Sequence, residues 1–261
     1  MRFDMNKIGI NYSKGAFGLS PEETFGLFSE IGFDSVFTGF YEVEQFAELA
    51  RKNGLFYESV HAPFDKINSI WLPGEEGENM LSRLSDCVQT CGKFDVPVVV
   101  IHLSSGVKPP AISDAGRDRW DRLIETAVKN NVTLAFENQR KIANIAYILE
   151  TYDDAENVGF CWDVGHEACF AEGREYMQLF GKKLVYTHIH DNFCEAEKDM
   201  HIIPFDGKID FEKCARFLKK YGFKGTLTLE LLPNHTDFYG GISPEEYYKK
   251  AYDAVNKIKI L

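Results

Sequence analysis

Eight short apolar runs in strict alternation with eight stretches of helical periodicity constrain this chain more than any other feature. The runs fall at 7–11, 35–38, 56–60, 98–101, 133–136, 158–161, 184–189 and 226–229. Each is brief, rich in β-branched and aromatic residues, and mostly bounded by Gly, Pro, Asn or Asp. That is the pattern of strands covered on both faces of a parallel sheet. The helices between them carry start signals. Ser20-Pro21-Glu22-Glu23 and Ser243-Pro244-Glu245-Glu246 each put Ser at the N-cap, Pro at the first position and Glu where it closes a capping box. Ser113-Asp114 opens a helix running to about 130, and Asp210 caps 211–221, which Gly222 ends. Further helices fit 43–52, 79–94, 141–151 and 171–180. Sharing 261 residues among eight units leaves about 33 for each, the size of a βα repeat. Strict alternation calls for parallel strands with right-handed crossovers, and eight units favour closure over an open doubly wound sheet. No GxGxxG follows the first run, which weighs against a dinucleotide-binding sheet. The expected architecture is α/β, one domain over 1–261, a single (β/α)₈ TIM barrel.

Charge narrows the partners. The net charge of −11 repels a phosphate backbone, so a dedicated nucleic-acid binder is not expected. The longest apolar stretch, 96–101, is far short of a membrane span, and 1–13 is followed by no apolar signal region. The six cysteines show neither a disulfide spacing nor a CxxC pair, and Cys87 and Cys91 share a helix face as buried thiols. A reducing, cytoplasmic setting is the default expectation. A homo-oligomer is compatible with all of this.

Catalytic groups in such barrels sit at the C-terminal ends of the strands. Strand 3 ends at His61, strand 4 at His102, strand 5 at Glu137 and strand 6 at Asp163-Val164-Gly165-His166. Strand 7 reads Thr187-His188-Ile189-His190-Asp191, and strand 8 ends at Glu230. Six successive ends thus carry imidazole or carboxylate. Taken singly, each has an ordinary reading: His61 and His102 as hydrogen-bonded rim residues, Asp163 as a helix cap. Glu137 and Glu230 follow wholly apolar strands, where an unpaired carboxylate is costly. One barrel axis gathers all of them, and carboxylates crowded there repel one another unless a cation intervenes. Two Glu, one Asp and one His suit Mn²⁺ best, with Zn²⁺, Co²⁺ or Mg²⁺ as alternatives. Alternation sends His188 and His190 to the same side, so one of them supports the other or touches substrate.

With these residues in place, the sequence resembles the xylose-isomerase-like TIM barrels, which include sugar-phosphate isomerases and epimerases and endonuclease IV. The resemblance runs from Ile8 to about Pro233. Asp163-Val164-Gly165-His166 matches a D-x-x-H element, His188-Ile189-His190-Asp191-Asn192 an H-x-x-D-N element, and Asp199-Met200-His201 with Gly207-Lys208-Ile209-Asp210 a D-x-H…G-x-I-D element. The family's Gly in P-G-x-G is Phe205 here. The resemblance implies one divalent metal held by Glu137, Asp163, His188 and Glu230, with Glu137 and Glu230 doubling as the acid/base pair. It implies a sugar or sugar-phosphate isomerase or epimerase, working by proton transfer beside a carbonyl through a metal-stabilised enediolate. His61, His102, His166, Asp199 and His201 become additional metal ligands or substrate contacts.

Endonuclease IV enzymes hold three zinc ions with nine ligands, and all nine have counterparts here: those five residues and the four of the tetrad. The alternative reading is therefore a metal-dependent phosphodiesterase acting on abasic DNA. A third is a barrel that binds a polyol without turning it over. The loops decide for the sugar branch. They are aromatic and acidic, as in Glu75-Glu76-Gly77-Glu78 and Phe193-Cys194-Glu195-Ala196-Glu197, where a nuclease presents Arg and Lys to phosphates. A small carbohydrate is the expected ligand. Phe64, Trp71, Trp162 and His190 are expected to contact it, with 64–79 as a lid.

Overall fold

The computed structural model describes residues 6–261. The strands are β1 (Ile8–Asn11), β2 (Ser35–Gly39), β3 (Phe56–His61), β4 (Val98–His102), β5 (Thr133–Glu137), β6 (Val158–Asp163), β7 (Leu184–His188) and β8 (Leu227–Leu229). They lie parallel in one eight-stranded sheet of order 7-6-5-4-3-2-1-8. Ile189 bridges Leu229, and the Ile189 amide donates to the Thr228 carbonyl at 2.8 Å, so the last strand meets the seventh and the sheet closes. This is the single (β/α)₈ barrel that the alternation requires.

The helices are α1 (Pro21–Ile31), α2 (Val43–Lys52), α3 (Glu75–Lys93), α4 (Asp114–Asn130), α5 (Ile142–Thr151), α6 (Val164–Phe170), α7 (Tyr176–Phe180), α8 (Phe211–Lys220) and α9 (Pro244–Ile260). Both expected capping boxes form, at Ser20/Glu23 and Ser243/Glu246. The expected helix at 171–180 is corrected: only its second half is helical, as α7, and a separate short helix, α6, precedes it. β6 runs directly into α6 because Asp163 Oδ1 accepts the His166 amide at 2.7 Å and caps it. α3 begins four residues earlier than expected, after Gly74, with Glu75, Glu76 and Glu78 favourably placed in its first turn.

The main core lies between sheet and helices, where Phe25, Phe28, Phe46, Trp120, Phe136 and Phe160 are buried. Inside the barrel a smaller cluster, Val100, Ala135, Cys161 and Tyr186, fills the space beneath the strand ends. The six cysteines are free thiols. Among the described residues no helix is long and apolar enough to cross a membrane.

Candidate metal centre

The strand register fixes which side chains meet. His102 pairs with Glu137 across β4 and β5, and Asp163 with His188 across β6 and β7. Glu230 follows β8, and its amide donates to the Ile189 carbonyl at 3.1 Å. Asp199 and His201 come from the long loop after β7. Buried Asp191 shapes that loop, accepting amides from Asn192, Phe205, Gly207 and Ile209 at 2.8–3.0 Å. Phe205, standing where the family has Gly, takes a left-handed φ of 74° to deliver its amide there.

Glu137, Asp163, His188 and Glu230 bring one ligand atom each to within 4.8 Å of one another. His188 Nδ1 lies 2.6 Å from Glu137 Oε1, 3.3 Å from Glu230 Oε2 and 3.9 Å from Asp163 Oδ2. Its ring is sealed from solvent and stacked on Phe37 at 4.8 Å. Burial disfavours charge on this ring, but Glu230 and Glu137 outweigh it and hold His188 well above the ordinary histidine range. Burial likewise opposes charge on Glu137, yet His188, His102 and His166 hold it well below the carboxylate range. Three carboxylates around one buried nitrogen therefore demand positive charge at that point, and hard oxygen donors with one imidazole suit a divalent cation.

A second group lies on the other side of Glu137. Its Oε2 is 2.5 Å from His102 Nε2 and 3.5 Å from His61 Nε2. Despite this crowding, Oε2 has no directed hydrogen bond, as expected of an atom aimed at a shared cation. The third group is His166, Asp199 and His201, with Asp199 Oδ2 at 3.1 Å from His166 Nε2 and 3.0 Å from His201 Nε2.

Three of these histidines share one device. His61, His166 and His201 each set Nδ1 against a backbone carbonyl, of Ala62, Asn138 and Glu230, at 2.9, 3.1 and 3.0 Å. His166 Nδ1 also meets the Gln139 amide nitrogen at 3.0 Å, but at His61 and His201 the partner is a carbonyl alone, which only accepts, so Nδ1 carries the hydrogen and Nε2 is left bare towards the carboxylates. That is the tautomer a metal ligand needs. The surrounding carboxylates also raise the proton affinity of two of these rings. Burial opposes this, but Asp163 and Glu137 push His166 up to about 10, and Asp199 pushes His201 up to about 9.

All nine residues read from the strand ends and the following loop are gathered at one mouth. Seven of them, together with Phe64, line a cavity of 650 Å³; Asp163 and His188 sit at its base. Four other expectations are corrected. Trp71 is buried away from the cavity, donating Nε1 to the Leu103 carbonyl at 2.6 Å and packing on Trp120. Trp162 faces outward from the barrel and donates to Glu167 Oε2 at 2.9 Å, because its neighbour Asp163 faces inward. His190 lies behind the cavity, its Nε2 3.0 Å from Asp163 Oδ1 and its ring stacked on His201 at 4.0 Å, and it does not line the cavity. The segment 64–79 is pinned rather than poised as a lid: Arg119 donates to the carbonyls of Ile70, Leu72 and Gly74.

Asn138 and Gln139 were missed. Asn138 clamps the Asp163 backbone with two bonds of 2.8 Å. The Gln139 amide bridges the second and third groups, 3.2 Å from His102 Nε2 and 3.0 Å from His166 Nδ1. The only available signal is that an Asn-Gln pair directly follows Glu137.

A sequence model of the family described as xylose isomerase-like TIM barrel matches residues 25–258. The chain is 31% identical over 133 residues to the uncharacterised protein y4fM of Sinorhizobium fredii, covering 51% of this chain and only 40% of that one. Among solved structures, the IolI protein with a bound zinc atom has a TM-score of 0.80 at 18% identity, covering 97% of this chain and 98% of that one. The 3-keto-D-glucoside 4-epimerase YcjR of E. coli has a TM-score of 0.71 at 17% identity, covering 98% and 100%. At such identities the likeness shows the fold.

Proposed function

We propose, from the premise that this chain belongs to the xylose isomerase-like TIM-barrel family, that it is a divalent-metal-dependent sugar or sugar-phosphate isomerase or epimerase. The observation that carries this reading is the ring of Glu137, Asp163 and Glu230 around His188 Nδ1 at the base of the cavity. These four residues would hold the ion, Mn²⁺ by preference for the three carboxylates. When bound, the ion supplies Lewis-acid polarisation of a substrate oxygen.

The two glutamates differ in what they can do. Glu137 is 1% exposed, and each of its oxygens faces a different histidine. Glu230 is 15% exposed at its side chain and lines the cavity, with only Oε2 turned to His188. In this reading Glu230, the more accessible of the two, takes the proton from the carbon beside a carbonyl. Return by Glu230 to the neighbouring carbon gives isomerisation; delivery to the same carbon from the other face, by a Glu137 that enters the cycle protonated, gives epimerisation. His166 and His102, both at the cavity wall, hydrogen-bond substrate hydroxyls.

The test is deuterium uptake. Mn²⁺-loaded protein incubated with a panel of ketoses, aldoses and their phosphates in D₂O should label one carbon-bound position beside the carbonyl. Glu230→Gln should remove that labelling. Binding of sugars without any exchange would leave only a polyol-binding barrel.

One observation favours a second reading, a phosphodiesterase acting on abasic DNA. The Nε2 atoms of His61, His166 and His201 complete two more donor groups of the kind a three-metal centre uses. Metal stoichiometry separates the two readings.

A further inference from the structure

Gln139 follows Glu137 by two residues, is buried, and lines the cavity. Its amide nitrogen, Nε2, lies 3.0 Å from His166 Nδ1 and 3.2 Å from His102 Nε2. One end of a primary amide only donates and the other only accepts. The two ring nitrogens decide which end belongs between them.

His166 Nδ1 also faces the Asn138 carbonyl at 3.1 Å. That carbonyl is backbone and only accepts, so Nδ1 needs its hydrogen and has no lone pair for one from Gln139. His102 Nε2 stands 2.5 Å from Glu137 Oε2. Two lone pairs at that distance repel, so this nitrogen carries its hydrogen too. Oε2 takes no directed hydrogen bond, which leaves the hydrogen on Nε2 for Gln139. Glu137 meets His188 through its other oxygen, so the His102 contact is independent of the four-ligand group.

Two rings that each offer a hydrogen call for an oxygen between them. The amide oxygen and nitrogen exchange places by a half-turn about the last side-chain bond, with no change of shape. The turn sets Oε1 against both rings. The amino group then takes the place of the other amide atom, which bonds no protein group among the described residues.

Resting on the isomerase or epimerase reading above, we infer that Gln139 is a substrate-binding residue: its oxygen accepts from His102 and His166, and its amino group donates to an oxygen of the sugar. One amide thus holds two histidines of the cavity wall and touches the ligand they serve. A side chain that only accepts, or only donates, cannot do both.

Nuclear magnetic resonance on Zn²⁺-loaded, ¹⁵N-glutamine-labelled protein tests this. The chain has four glutamines, Gln45, Gln89, Gln139 and Gln178, so four side-chain amide signals appear. The one missing from Gln139→Glu, and equally from Gln139→Met, belongs to Gln139. With a bound ketose or aldose its amino hydrogens should exchange with water about tenfold more slowly than without. Calorimetry gives the second arm. Gln139→Glu keeps an oxygen for both rings and removes the donor, so the same sugar should bind about tenfold more weakly. A sugar that binds while the exchange rate stays the same, or that binds Gln139→Glu as tightly as the parent, overturns the inference and leaves the sugar reading standing. Failure of every sugar to bind the loaded protein overturns both.

Discussion

His188 Nδ1 and Glu137 Oε1 stand 2.6 Å apart at the base of the barrel mouth, and neither side chain meets solvent. Glu137, Asp163, His188 and Glu230 would hold a divalent ion that answers the charge of all three carboxylates. Chelation should therefore abolish activity, and Mn²⁺ or Co²⁺ should restore it. At a metal concentration of 100 times Kd, binding adds about 2.7 kcal/mol and raises Tm by about 5–10 °C. Asp163→Ala should lose that shift. Melting and activity unchanged by EDTA would sink the metal assignment.

Metal content should lie near one per chain. His201→Ala should weaken sugar binding and leave the metal count alone, because His201 lies outside the Glu137, Asp163, His188 and Glu230 group. Elemental analysis giving three zinc ions per chain, with fewer in His201→Ala, would move the assignment to the phosphodiesterase reading.

Duplex DNA carrying an abasic site should remain uncut at low salt. The chain is strongly acidic, and Arg140 at the mouth is held by Glu197 through contacts of 2.6–2.9 Å. Incision that disappears in Glu137→Gln is the contrary result.

Glu167 makes stability depend on pH. Burial pushes its carboxyl up to about 7, against hydrogen bonds from Trp162 and Tyr176 that favour its charged form. Below the unfolded value near 4.5 both states hold the proton, and there is no penalty. As pH rises towards 7 the unfolded chain releases its proton first, so folding loses up to about 3 kcal/mol, and the loss persists above 7. Glu167→Gln keeps an acceptor for both donors and removes the charge. Its melting temperature should match the parent near pH 4.5 and exceed it at pH 8. An advantage that stays the same across this range would show that ionisation of Glu167 is not its source.

The barrel and the strand ends were legible because both follow from local rules. Parallel strands buried on two faces are apolar until they end, so a carboxylate or imidazole at the end stands out. Trp162 was misplaced against a rule already in hand: if Asp163 points into the mouth, its neighbour must point away. Trp71 was not decidable locally. Its place is set by Leu103 and Trp120, more than 30 residues distant in sequence. Gln139 was silent for a different reason. An amide has no charge and no preferred partner, so its bridging of His102 and His166 exists only once three strands have assembled.

The loop bearing Asp199 and His201 takes its shape from the Asp191 carboxylate, which gathers four amides and lies outside the metal-ligand groups. An arriving ion therefore enters a finished cage rather than organising one. If the centre binds metal as proposed, uptake should be governed by how fast the ion sheds its own water, and no segment of chain should have to refold when it leaves. One metal should then be exchangeable for another at constant architecture, so a series of metals compared in this protein should report the ions' chemistry and not a change in the fold around them.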